Sequence, residues 1–334
     1  MMVMNITESK RKDWIDIGRG IAMIFIVVGH CVGIPSTLRR IIFSFHVPFF
    51  FILSGYTYHK KEKSVRKDFL QLIVPYIITV IFVLVFNVFR SHGFFMENFK
   101  TILKSAFYGF GSTHHEIQSI GAIWFLLTMF FARRIMNALF SIEVNEKIRA
   151  IPVFLAMWMG IRISEISWIP LNLDLALVAA GFMYIGYCIK LYSIQPEKDL
   201  LIGCLIVWFA SLFCGNFEMA ARVYAPWLIH CIGAVGGSVC IMALAMELEK
   251  NRVLRKSISF IGRHTILLLC IHDLDWRSPF GLWWGFLAKF KGTPFYFPVS
   301  VGCRVFVDFS LLILIVLIGT LIRGIRKSNA NLNE

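Results

Sequence analysis

Long apolar runs, separated by connectors rich in Lys, Arg, Asp and Glu, pattern the chain from about residue 15 to residue 322. Coiled at about 1.5 Å per residue, a run of roughly 20 such residues spans the hydrocarbon core of a bilayer. The pattern predicts about ten transmembrane helices, near residues 15–35, 41–58, 69–89, 120–141, 150–163, 173–192, 199–215, 227–247, 258–273 and 299–322. The fifth and ninth runs are short enough to be re-entrant or tilted elements. An even number of crossings puts both termini on one side. The fold class expected is therefore all-α integral membrane, with residues 1–334 forming a single transmembrane domain.

Composition excludes a soluble globular domain. Hydrophobic residues make up 57% of the 334, only 16% are charged, and the mean hydropathy is +0.70. Lys and Arg accumulate in cytoplasmic connectors, so their distribution sets the orientation. The stretches on the N-terminal side hold 22 of the 34 basic residues, among them Lys10–Lys12, Lys60–Lys67, Arg133, Arg134, Lys147, Arg149, Lys250–Arg263 and Arg323–Lys327. Both N- and C-termini are therefore expected in the cytoplasm. A basic rim facing anionic lipid then accounts for the net charge of +14, with membrane lipids as partners and no nucleic acid. The first apolar run lacks an A-x-A cleavage site and leads straight into further spans, which reads as a retained helix rather than a signal peptide. The eight cysteines show no CxxC or Cys/His metal spacing and read as small apolar helix residues. No metal is expected, and no soluble domain is visible in the sequence.

Arg19 and His30 stand inside the first apolar run, WIDIGRGIAMIFIVVGHCVGI. A charged group at mid-bilayer costs several kcal/mol, so such residues mark function unless they snorkel to the surface. Eleven residues at about 100° each come within roughly 20° of three full turns, with a rise of roughly 16 Å. Both side chains thus share one stripe at different depths, with Asp16 an i, i+3 partner for Arg19. In the second run, FSFHVPFFFILSGY, Pro48 makes the helix start irregular, while Ser54 and Gly55 permit close helix approach. His46 falls near the outer end, the side to which His30 points. The basic connector after that run reads as a solvated face or as a phosphate-binding rim with Arg66 and Lys67 at its edge. The connector from about 90 to 120 is long for this chain, as functional loops often are, and holds His92, His114, His115 and Glu116 ahead of Trp124. Adjacent histidines without a third ligand make a poor metal site. Trp124 suits an aromatic belt or a sugar-stacking platform. The ninth run ends at His272, Asp273 and Asp275, a titratable cluster on the outer side.

Assembled in order, these segments resemble the membrane acyltransferase-3 family, in particular its single-domain, fucose O-acetylase-like members. The resemblance rests on Arg19 followed by ten residues and then His30 in the first span, and on Phe49, Phe50, Phe51, Ser54, Gly55 and Tyr56 with His46 and Pro48 upstream. It continues through Lys67, Pro75 and Tyr76, then Trp124, Phe125 and Leu126, then Gly262, Thr265 and His272. Each motif is weak alone; five in the right order cover nearly the whole chain. Some members carry an extracytoplasmic SGNH hydrolase-like domain, and a self-contained transmembrane enzyme without one is expected here.

The resemblance implies a membrane-bound O-acyltransferase that moves an acetyl group from cytoplasmic acetyl-CoA to a hydroxyl of an extracytoplasmic or lipid-linked glycan. It also implies a multi-pass protein of the bacterial inner membrane. His30 is assigned as general base on the acceptor hydroxyl, with a transient acyl-histidine as the competing chemistry. Arg19, with Arg66 and Lys67, is assigned to the donor phosphates or the thioester. His46, Ser54, Glu116, Trp124 and His272 are the expected acceptor contacts. A transporter or flippase for a glycan or small anion is the alternative, since intramembrane Arg, His and Asp suit it equally, although no inverted repeat with paired broken helices is apparent. A multispanning glycosyltransferase is disfavoured, because Glu116, Asp273 and Asp275 are too scattered for a sugar-nucleotide site.

Overall fold

The computed structural model describes residues 12–59, 65–90, 95–114, 117–277 and 282–331. His92, His115 and Glu116 fall outside the described residues. The chain is all-helical, with no β-strand among the described residues. In order, the helices are α1 (Asp13–Gly29), α2 (Ser36–Phe43), α3 (His46–Tyr56), α4 (Val65–Asp68), α5 (Val74–Arg90), α6 (Phe95–Tyr108), α7 (Trp124–Ser141) and α8 (Glu146–Ile166). There follow α9 (Leu173–Leu191), α10 (Lys198–Phe213), α11 (Trp227–Glu249), α12 (Arg252–Arg263), α13 (Thr265–Arg277), α14 (Leu282–Ala288) and α15 (Tyr296–Asn331). A π-helical turn, Phe69–Ile73, joins α4 to α5.

Each of the ten apolar runs coincides with helix. Five stretches are long and apolar enough to cross a membrane: Ser36–Tyr56, Val65–Asn87, Pro170–Leu191, Trp227–Glu249 and Tyr296–Ile325. The others fall short for visible reasons. Helices α1 and α10 have only 17 and 16 residues, α7 carries Arg133 and Arg134, and α8 carries Arg149, Arg162 and Glu165. The ninth run is not one helix but two, α12 and α13, broken at His264, where φ is −114° and ψ 20°. The lipid-facing character of the outermost helices is plain in α15, which exposes Leu314, Leu317, Ile318 and Leu321. Helix α9 is its opposite, buried along most of its length.

Packing is closest where glycine removes the side chain. A Cβ on Gly55 of α3 would lie 1.7 Å from the Met183 carbonyl oxygen of α9, and one on Gly186 of α9 would lie 1.9 Å from that of Ile52. The two backbones therefore touch, as the small residues of the SGY segment suggested. Helix α1 is the hub, in contact with α2, α3, α11, α12, α13 and α15.

Two local expectations change. The irregularity ahead of Pro48 lies at Ser44 and Phe45, where α2 ends and α3 begins, and Pro48 itself sits in the first turn of α3, where its missing N–H is harmless. The connector from about 90 to 120 is not a loop throughout. Helix α6 occupies half of it, because Ile102 and Ala106, four residues apart, pack against the core and the Ala106 carbonyl accepts the Tyr76 hydroxyl at 2.6 Å.

Contacts also sort the helix ends. Trp14, at the start of α1, lies 5.1 Å from Tyr56 at the end of α3, and its N–H donates to Glu249 at the end of α11. Asp68, Arg133, Arg134, Asp13 and Arg255 gather at this same end. At the other end, the Val32 N–H just past α1 donates to Ser300 near the start of α15, and Arg40 of α2 reaches Leu212 in the last turn of α10 and Asn216 beyond it.

Candidate active site

At the His30 end of the bundle the helices enclose a cavity of about 340 Å³. Its walls come from α1, α2, α3, α7, α13 and α15 together with the connectors 109–123 and 214–226. His30, His46, Trp124, His272 and Asp273, all singled out in the sequence, line it.

His30 caps the C-terminus of α1. Its ring Nδ1 lies 2.8 Å from the Ile26 carbonyl oxygen, one turn back. A carbonyl can only accept, so Nδ1 carries the proton, and the neutral ring keeps its lone pair on Nε2. His46, the first residue of α3, repeats the device at 2.7 Å from the Ile42 carbonyl. Phe43 stands between the two, with ring centroids 5.5 Å from His30 and 4.9 Å from His46.

His272 of α13 faces His30, their ring centroids 5.5 Å apart. Its support differs in kind. Nδ1 donates to the Asp308 carboxylate of α15 at 2.8 Å, and both side chains are sealed from solvent. The second Asp308 oxygen, Oδ1, is buried without a hydrogen-bond partner among the described residues.

Arg304, one turn before Asp308 on α15, braces the two histidines. Its guanidinium donates to the His30 carbonyl at 2.9 Å, to the His272 carbonyl at 3.4 Å and to Asp275 at 3.5 Å. Only 1% of its surface is exposed, which a cation tolerates because every nitrogen faces an acceptor. Asp275 accepts a further bond from the Trp283 indole at 2.9 Å.

The wall opposite is a folded-back connector. Gly121, at φ +85°, turns the chain so that the Ala122 N–H donates to Asp273 at 2.7 Å. A Cβ on Gly121 would fall 1.7 Å from the same carboxylate oxygen. Ser119 steadies this turn, accepting from the Gly121 N–H at 2.8 Å and donating to the Phe110 carbonyl. At the rim, Arg39 of α2 pairs with both oxygens of Glu218 at 3.2 and 3.1 Å and stacks over Phe43 at 4.2 Å.

The remaining residues are elsewhere. Arg19 lies at the opposite end of α1, 3.4 Å from Asp16 in the expected i, i+3 pair. Ser54 accepts from Arg133 at 3.4 Å, in a buried cluster where Asp68 holds Arg133 at 2.7 Å and also binds Arg134. Arg66 and Lys67 are exposed on α4 next to that cluster. His114 is stacked on Trp168 at 3.9 Å, and the Arg222 guanidinium lies 3.8 Å from the same ring. Among the described residues, no group of three or more His, Cys, Asp and Glu is arranged to hold a metal ion.

Arg304, Asp308, Arg39 and Glu218 were not singled out in the sequence. Arg304 and Asp308 carry the same signal as Arg19 and His30, being ionisable residues four apart inside the last apolar run. Together the cavity offers imidazole nitrogens suited to proton or group transfer beside an aromatic wall.

A family model described as an acyltransferase domain matches residues 12–322. No curated protein and no solved structure matches the chain.

Proposed function

The chain belongs to the acyltransferase-3 family, and on that premise we propose that this membrane acyltransferase is an O-acetyltransferase. It takes the acetyl group of cytoplasmic acetyl-CoA and passes it to a hydroxyl of an extracytoplasmic or lipid-linked glycan, in the inner membrane of a bacterium. The observation that carries this reading is the open Nε2 of His30, fixed by the Ile26 carbonyl at the inner wall of a cavity large enough for a sugar.

In the proposed orientation all ten runs cross the membrane, both termini are cytoplasmic, and the end holding Lys12, Arg19, Arg66, Lys67, Arg133 and Arg134 faces inwards. There the net positive charge receives the donor's phosphates, with Arg19, Arg66 and Lys67 as the contacts. The cavity is at the outer end, where His46, Trp124 and His272 meet the acceptor. Ser54 belongs with the donor end, since it hydrogen-bonds Arg133 rather than lining the cavity. His30 stands at the reacting centre, either as base towards the hydroxyl or as carrier of the acyl group.

The test is transfer of label from acetyl-CoA into membrane glycan by His30→Ala, in protein shown to be folded and inserted. Loss of an imidazole acting in the chemical step should slow transfer by about 10²–10⁴-fold. Undiminished transfer refutes the role of His30. Movement of a glycan by the wild-type protein with no consumption of the thioester would make it a transporter instead.

A further inference from the structure

We infer that the cavity divides acyl transfer between two imidazoles: His30 carries the acyl group, and His272, oriented by Asp308, takes the proton of the acceptor hydroxyl. This division rests on the acyl-transfer reading above.

The two rings differ in what stands behind them. The His30 Nδ1–H bonds a neutral peptide carbonyl, and that residue's own carbonyl holds the Arg304 guanidinium. No carboxylate pairs with the His30 ring among the described residues, so His30 is the weaker base of the two, and the acyl-imidazolium formed by attack through its Nε2 is left uncompensated and reactive towards the acceptor. The His272 Nδ1–H bonds a buried carboxylate. When His272 Nε2 accepts a proton, the new imidazolium faces Asp308 directly, which is the arrangement a general base requires. Asp308 Oδ1 has no hydrogen-bond partner among the described residues, and the carboxylate's one bond there is to this ring. It is a positioning residue, whereas the two histidines are catalytic residues. With ring centroids 5.5 Å apart, both can address a single acyl carbon and its incoming hydroxyl.

The steps balance. His30 Nε2 attacks the thioester carbonyl, the N–C bond forms, the C–S bond breaks, and CoA leaves as the thiolate, giving an acyl-imidazolium that keeps its Nδ1–H. The acceptor oxygen then attacks the acyl carbon while its proton passes to His272 Nε2. The C–N bond breaks and returns its electron pair to His30, and the His272 proton is given up to water, which has already supplied one to the departed thiolate. One hydroxyl and one thioester become one ester and one thiol.

The test separates the two halves. Protein in lipid nanodiscs receives labelled acetyl-CoA, with and without hydroxylamine, a nucleophile that needs no base; thiol release and label on the His30 peptide are followed. In parallel, transfer into glycan is measured in membrane vesicles from the cells that make the protein. His272→Ala, His272→Gln and Asp308→Asn should each release a burst of one CoA per chain, hold the label on the His30 peptide, and discharge it to hydroxylamine. Their glycan transfer should fall by at least about 100-fold. The retained burst shows that the variants are folded, and His272→Gln carries the expectation should either other variant fail to insert. His30→Ala should show no burst, no label and no response to hydroxylamine. Wild-type glycan transfer in the His272 and Asp308 variants, or loss of the burst together with transfer, overturns the division of labour. A wild-type protein that releases no CoA under any of these conditions overturns the acyl-transfer reading itself.

Discussion

Replacing Arg304 by Met probes the brace between the two histidines. The side chain is nearly isosteric in its stem but removes a guanidinium that serves three acceptors, the carbonyls of His30 and His272 and the Asp275 carboxylate. Asp275, 4% exposed in its side chain, would keep only the Trp283 N–H. Breaking a buried ion pair by removing one partner costs about 3–5 kcal/mol, because the other charge stays behind in a medium that solvates it poorly. The two carbonyls add to this, since unmade buried hydrogen bonds cost about 1–3 kcal/mol each. Of these the bond to the His272 carbonyl is long at 3.4 Å, and the upper end of about 5 kcal/mol is the working figure for the whole change. Denaturant titration of the purified protein in mild detergent reads that loss, and Arg304→Met with Asp275→Asn should lose less than the sum of the two single changes, since they are partners. Catalysis should suffer as well, by about 10²-fold, because a displacement of about 1 Å at reacting groups has that effect. Arg304→Lys, with a compact ammonium that cannot span all three acceptors, should fall between. An Arg304→Met protein that unfolds at the wild-type denaturant concentration and transfers acetyl at the wild-type rate refutes the brace.

Gly121→Ala places a methyl group 1.7 Å from the Asp273 oxygen at a backbone with φ +85°. The left-handed conformation alone costs about 1–2 kcal/mol for an L-residue, and the carboxylate must also leave the Ala122 N–H. Acetyl transfer should drop sharply while the protein still inserts, and unchanged kinetics would show that the Asp273 turn does not shape the cavity. Asp68→Asn leaves Arg133 and Arg134 to share a neutral amide at the opposite end of the bundle. It should lower stability by about 3–5 kcal/mol, and because the cavity is remote, the folded fraction should keep the burst of CoA release. An unaltered unfolding curve would mean that the two arginines find other partners.

What the sequence disclosed follows from which physical signals survive in a single chain. Helix positions were legible because membrane spans must be apolar over their whole length, and all ten runs proved helical. His30, His46, Trp124 and His272 were legible because a polar or amphipathic residue is conspicuous against such a background. Arg304 and Asp308 are equally conspicuous within the last run, but nothing in the sequence ties them to His30 or His272, more than 30 residues away in the chain. Arg39 and Glu218 could not be paired from sequence, since 179 residues separate them and both sit in polar connectors. The short helix α6 was hidden by a mixed composition that reads as a loop. Arg133 and Arg134 fall inside the run at 120–141, and α7 continues through them because the Asp68 carboxylate pairs with both.

The placement of Arg19 and His30 on one stripe acquires a sharper meaning from the shape of the cavity. Along α1 the cavity touches only Ile26 and His30, and the turn nearer Arg19 is filled by Ile21, Ala22 and Met23, all buried. Seven residues separate Arg19 from Ile26, a rise of about 10 Å. A donor whose phosphates lie at the level of Arg19 therefore cannot share the cavity with a glycan along its whole length. Only the acyl end of a long flexible arm needs to reach His30, and donor and acceptor then approach the same imidazole from different sides. A residue that holds the acyl group between the departure of one and the arrival of the other relieves them of having to be aligned at the same moment. The differing supports of His30 and His272 match that proposed sequence of events: a direct single-step transfer would use the carboxylate-backed base, His272, but would leave the lone pair of His30 Nε2 without a role.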